Sequence, residues 1–162
     1  MTKKTQEKKS SPFTWQLASL NDLEAAITLS VELYQELDPV HRQPLSLERV
    51  GVYLYELISQ EKVVLYMNNG VACGIVALDY YSDWYAEPTE KYMTNVIFYI
   101  KPEFRNFRAF TSALRMVEQY AKINKTQLDI HFISDKDVKR KFKAFKHRGY
   151  TSRGFMVSRR FD

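Results

Sequence analysis

Hydrophobic positions along the chain change period several times, and each change marks an element. Phe13, Trp15 and Leu17 alternate with polar neighbours, which predicts a strand over 13–17 with all three on one face. Ser19-Leu20-Asn21-Asp22 then offers N-cap chemistry, and Leu23, Ala26, Ile27, Ser30, Leu33, Tyr34 and Leu37 recur at helical spacing. A helix over 23–37 follows, ended by Asp38-Pro39. Ser46 is placed to cap a second helix over 47–60 whose Val50, Leu54, Leu57 and Ile58 face inward. The period then falls to two. Residues 62–67 read as a strand, Asn68-Asn69-Gly70 as a tight hairpin and residues 71–80 as the returning strand, in which Gly74 marks a bulge or a close backbone approach.

The second half repeats the alternation of strand and helix. A continuous apolar run from Val96 to Ile100 predicts a buried strand, Lys101-Pro102 stops it, and residues 109–123 carry apolar side chains at helical spacing. Leu128, Ile130 and Phe132 predict a strand over 126–134. A basic helix over 135–148 has Val138, Phe142 and Phe145 as its apolar seam and Gly149 as its stop, and a last strand runs over 150–160. Residues 80–92 mix aromatic and acidic side chains too irregularly for an element; they read either as a lid packed on the sheet or as a cleft wall in which Asp83 and Glu87 attract a cationic amine. Residues 1–12, lysine-rich and poor in apolar groups, read as a disordered tail. The expected architecture is one α/β (α+β) domain over 13–162, ordered β-α-α-β-β-β-α-β-α-β around a mixed, mostly antiparallel sheet.

Charge divides this domain unevenly. Residues 1–100 hold 8 Lys+Arg against 13 Asp+Glu, and residues 101–162 hold 16 against 6. A basic second half suits any polyanion, so nucleic acid, an acidic protein and a phosphate-rich cofactor all stay open on charge alone. The absence of an 18-residue apolar run and of a signal-type h-region predicts a cytoplasmic chain without a membrane partner. The lone Cys73 has no internal disulfide partner and no cysteine with which to build a zinc site, so no metal is expected.

One stretch concentrates chemistry. Glu103-Phe104-Arg105-Asn106-Phe107-Arg108 joins the strand ending at Ile100 to the helix after it. Arg105, Arg108 and the first-turn amides of that helix, over Asn106, Phe107, Arg108, Ala109 and Phe110, would converge on an anion, with phosphate the best match.

At this point the chain resembles the GNAT N-acetyltransferase superfamily over roughly residues 13–161. Ile100-Lys101-Pro102-Glu103-Phe104-Arg105 is similar to the family's Val-x-Pro-Glu-Tyr-Arg, and Phe142 to Tyr150 is similar to its penultimate helix ending in Gly-Phe. The resemblance implies acetyl-CoA as cosubstrate, its pantetheine arm laid along the strand at Phe98 and Ile100, and its pyrophosphate at the turn. It implies transfer of acetyl to an amine by direct attack in a ternary complex. The two positions that the family fills with glycine fall on Arg108 and Phe110, its frequent strand glutamate falls near Thr94 or Asn95, and its usual tyrosine falls on Phe145. The candidate catalytic residues are therefore Asn95, Tyr99, Asp83 and Glu87, with Tyr150 a further phenol. A GNAT-like binding module without catalysis and a nucleic-acid binder using the basic helix and tail are the alternative classes. Aromatic residues in the loop and last strands leave a homodimer open.

Overall fold

The structure, a computed structural model, describes residues 13–37, 43–82, 91–131 and 138–152. Five strands lie in the order β1-β2-β3-β4-β5, with β1 Phe13–Leu17, β2 Val63–Asn68, β3 Val71–Tyr81, β4 Tyr92–Ile100 and β5 Gln127–Asp129. Neighbours are antiparallel except β4 and β5, which are parallel. The helices are α1 Leu23–Glu36, α2 Leu47–Ser59, α3 Phe107–Ile123 and α4 Val138–His147. The expected mixed, mostly antiparallel sheet is thus observed. The expected tail over 1–12, the loop residues 83–90 with Asp83 and Glu87, and most of the expected last strand lie outside the described residues. Among the described residues no helix is long and apolar enough to cross a membrane.

Local chemistry sets the boundaries. The Asp22 carboxylate accepts from both the amide and the hydroxyl of Ser19 at 2.8 Å, closing the turn before α1. Ser46 Oγ accepts from the Arg49 amide at 3.3 Å and starts α2. Asn69 and Gly70 take φ of 49° and 81°, the positive angles that a two-residue hairpin of this twist requires.

Two helices cover one face of the sheet. Ala26 and Leu29 of α1 and Leu54, Leu57 and Ile58 of α2 pack on Val63, Leu65, Ile75, Ala77 and Tyr99. Leu29 was not among the positions expected inward on α1, yet only 1% of it is exposed, because the α1 face rotates to meet α2 as well as the sheet. On the other face, Val117 and Ala121 of α3 pack on Val76, Leu78 and Met93. Leu17 does not join Phe13 and Trp15 in the interior: it sits at the end of an edge strand, 46% exposed.

Two irregularities set which side chains reach which face. Gly74 opposes Tyr66 while Ala72 opposes Met67, so Cys73 is an extra, buried residue in β3. A Cβ on Gly74 would stand 2.9 Å from the Tyr99 carbonyl oxygen, the close approach its position in the strand suggested. In β4, Ala77 opposes Ile97 but Leu78 opposes Asn95, which leaves Val96 as the extra residue. The run Val96 to Ile100 is therefore not buried throughout: Val96 is 40% exposed. Past this bulge the alternation resumes out of phase, so Ile97 and Tyr99 face α1 and α2 while Phe98 faces α3 beside Met93.

Candidate functional site

The candidate site is the outer edge of β4, where the sheet stops pairing. Tyr92, Met93 and Thr94 pair with Gln127, Leu128 and Asp129, and the parallel register ends there. At the next position the Asn95 side chain replaces the ladder. Its Oδ1 accepts from the His131 amide at 2.7 Å and its Nδ2 donates to the His131 carbonyl at 2.9 Å. Both halves of this buried amide, a candidate catalytic residue from the sequence, are thereby committed to backbone as a clasp. Beyond it the backbone of β4 runs to Ile100 without a strand on its outer side among the described residues. Of the strand expected over 126–134, Gln127–Asp129 form β5, and residues 132–134 lie outside the described residues.

The turn after β4 is shaped by hydrogen bonds within itself. Lys101 donates its amide to the Cys73 carbonyl at 2.9 Å, and residues Pro102–Phe104 form one 3₁₀ turn. Asn106, in extended conformation, caps α3 by accepting from the Ala109 amide at 2.9 Å, while the Phe110 amide donates to the Asn106 carbonyl at 3.0 Å. Ala109 and Phe110, both expected to offer amides to an anion, use them here. Helix geometry gives the Arg108 amide no acceptor inside the helix.

The two arginines separate. Arg105 folds back: its Nε donates to the Ile100 carbonyl at 2.6 Å, one terminal nitrogen pairs with Glu36 of α1 at 2.6 Å, and the guanidinium carbon lies 5.2 Å from the Tyr99 ring centre. The expected convergence of Arg105 with Arg108 on an anion is not what this conformation provides. Arg108 stays exposed on the first turn of α3, close enough to Tyr66 for its charge to oppose the upward shift that burial imposes on that phenol. No sequence pattern pointed to Glu36, which lies 69 residues from Arg105.

An aromatic chain stands next to the open edge. The rings of Phe98 and Phe110 lie 6.1 Å apart, those of Phe110 and Phe145 5.6 Å at 87°, and those of Phe145 and Tyr150 5.1 Å at 79°. It bridges β4, α3 and α4. The α4 seam accordingly differs from the expected one: Phe142 is 50% exposed, and Lys141, Ala144, Phe145 and Arg148 form the inward stripe. Arg148 pairs through two nitrogens with the Glu118 carboxylate of α3, turning the helix toward it. Gly149, at φ 85°, ends α4 while the Tyr150 amide reaches back to the Phe145 carbonyl at 3.1 Å.

Neither phenol considered as an acid is poised near neutrality. Tyr99 donates to Glu36 at 2.9 Å; burial first, then that bond and the charges of Glu36 and Glu32, hold its pKa well above the ordinary phenol value. Tyr99 and Lys101 also line an open depression of about 300 Å³ with Glu32, Glu36 and Glu103 on the α1 side, away from the Phe98 face. Burial, and then the neighbouring Glu118 charge, push Tyr150 up in the same way. Its hydroxyl is buried beside Glu118 without a well-formed hydrogen bond. Among the described residues no group of three His, Cys, Asp or Glu side chains converges as a metal site would.

Comparison with solved structures fits this geometry. The chain is similar to a possible acetyltransferase from Clostridium difficile at a TM-score of 0.65 and 13% identity, over 93% of this chain and 98% of that one. It is similar to a predicted acetyltransferase with acetyl-CoA from Clostridium acetobutylicum at 0.66 and 13% identity, over 91% and 96%. An aminoglycoside 6′-N-acetyltransferase from Acinetobacter baumannii matches at 0.62 and 15% identity, over 93% and 98%. No protein-family model matches the sequence, and no curated protein matches it. The fold is that of the GNAT acetyltransferases.

Proposed function

We propose that this chain is an N-acetyltransferase that uses acetyl-CoA and transfers acetyl to an amine by direct attack in a ternary complex. The observation that carries the reading is the outer edge of β4 past the Asn95 clasp, which no strand joins among the described residues, beside the N-terminus of α3 in a GNAT fold. An extended, amide-bearing arm such as pantetheine would add to that edge as a further strand would, beside Phe98 and up to Ile100, whose carbonyl Arg105 Nε already engages. Arg108, exposed on the first turn, and its own amide suit a pyrophosphate at the positive end of the helix. Bound acetyl-CoA would supply an activated thioester. The chain's contribution is then placement, with strand amides at the bulge near Val96 available to a developing oxyanion.

Asn95 serves this reading as the residue that holds the edge open, and Arg105 as the residue that ties the end of β4 to α1. Tyr99 packs on the α1 and α2 side of the sheet, where its hydroxyl donates to Glu36, and this reading gives it no part in the proton path. Asp83 and Glu87 remain the proposed source of a base. The expected experiment is titration of the full chain with acetyl-CoA by calorimetry, followed by thiol-release assays over a panel of amines. Binding with micromolar affinity and amine-dependent release of CoA supports the reading; no detectable binding ends it.

Arg105 engaged by Glu36 and two high phenols favour a second reading, a GNAT-like module that binds CoA or a protein without catalysis. Binding of acetyl-CoA with no transfer to any amine would select it. Nucleic-acid binding draws no comparable support: α4 turns Lys141 and Arg148 inward, toward the rest of the domain.

A further inference from the structure

The feature that the functional reading leaves unexplained is the side chain of Phe110. It occupies the second of the two positions that the family resemblance fills with glycine, and it is half-buried among other rings. Its ring lies 6.1 Å from Phe98, on the strand edge proposed for the pantetheine arm, and 5.6 Å from Phe145 of α4. The edge-on contact with Phe145 at 87° is a favourable aromatic arrangement, and Phe145 is itself backed by Tyr150 at 5.1 Å. A ligand entering between β4 and α4 beside α3 therefore meets a packed ring.

We propose that Phe110 is a gate residue: with its ring between Phe98 and Phe145 it covers the approach to β4, and CoA binds only the conformations in which that ring has turned away. The inference rests on the acetyl-CoA reading above. It makes the resting conformation a competitor of the cosubstrate, so the apparent affinity is the intrinsic affinity reduced by the fraction of molecules with the gate open. The gate also discriminates within the ligand. Its ring contacts Phe98 and Phe145, whereas the nucleotide half is assigned to Arg108, so binding of the nucleotide half is expected to be insensitive to the ring.

The test is calorimetric titration of the full chain, wild type against Phe110→Ala and Phe110→Leu, with CoA and separately with its nucleotide half, adenosine 3′-phosphate 5′-diphosphate. Phe110→Ala is expected to tighten CoA binding on the order of tenfold and Phe110→Leu roughly threefold, with nucleotide binding unchanged. Circular dichroism checks folding; should Phe110→Ala not fold, Phe110→Leu keeps most of the apolar volume and carries the same comparison. Wild type and variants that bind CoA equally overturn the gate and leave the acetyl-CoA reading standing. An equal gain for CoA and for the nucleotide half overturns it as a general loosening of the turn. Absence of CoA binding by all three proteins overturns the gate together with that reading.

Discussion

The two faces of the sheet are built by different rules. On the α1 and α2 side, Ala26, Leu29, Leu54, Val63, Leu65, Ile75 and Ala77 are almost wholly buried, and the contacts are aliphatic and dense. On the α3 and α4 side, aliphatic packing surrounds Val76, Leu78 and Val117, but around the end of β4 it gives way to half-buried rings: Phe98, Phe110 and Phe145. The first face is a core. The second is a core that ends in half-buried aromatic rings, beside a length of β4 that no strand joins among the described residues. A protein needs the first to be stable and the second to bind an extended ligand.

The contrast is sharpest in core truncations. Leu65→Ala, on the dense face of a central strand, is expected to cost about 3–4 kcal/mol in urea unfolding, through lost transfer energy and the cavity left behind. Phe98→Ala, among the half-buried rings, is expected to cost less than half of that although it removes more atoms. Equal losses would mean that the two faces are packed alike. Next in size is Asn95→Ala, which leaves the His131 amide and carbonyl without their partner and should cost about 2 kcal/mol. Hydrogen exchange localises the effect: amides of 127–131 should lose protection first, and unchanged protection there would show that the clasp does not hold β5.

The two arginines of the turn separate stability from binding. Arg108→Gln should weaken CoA roughly tenfold with little change in unfolding, as expected for one charge-assisted phosphate contact. Arg105→Gln should instead lower stability by at most about 1 kcal/mol, because its ion pair with Glu36 is largely exposed. A reversed pattern would place the anion on the α1 side of the strand end. The smallest expected effect is in acid. The Arg148 hydrogen bonds hold the Glu118 carboxyl below its ordinary range, burial opposing them. A carboxylate depressed in the folded state adds stability above its unfolded pKa, about 4.3, and loses it as pH falls through the folded value. Wild type should therefore lose slightly more stability than Glu118→Gln between about pH 5 and pH 3, by roughly 0.5 kcal/mol, read from urea midpoints.

Much of the fold was legible because it is written in short-range pattern. The Ser46 cap, the Asn69-Gly70 turn, the α2 face of Leu54, Leu57 and Ile58, and the Gly149 stop each depend on residues a few positions apart, and each is found where the sequence places it. The close approach at Gly74 was legible as well, since a glycine in an apolar strand has few other reasons. The site was legible only in outline. Strand, turn and helix were evident, and the resemblance to GNAT proteins gave them a purpose.

What escaped the sequence depends on partners far along the chain. The bulge at Val96 reverses which face Phe98 and Tyr99 occupy, and it arises only from pairing with β3. Glu36 claims Arg105 across 69 positions, Asn95 grips His131 across 36, and Phe145 rather than Phe142 turns inward because Arg148 reaches Glu118. Among the described residues, sequence alone determined most of the elements, their order and the strand, turn and helix around Pro102, because helix period, strand alternation and capping are local energies. Tertiary structure alone decided which arginine is tied to Glu36, where β4 parts from β5 and which rings pack between β4, α3 and α4, because those outcomes are competitions among distant side chains for the same backbone and the same space.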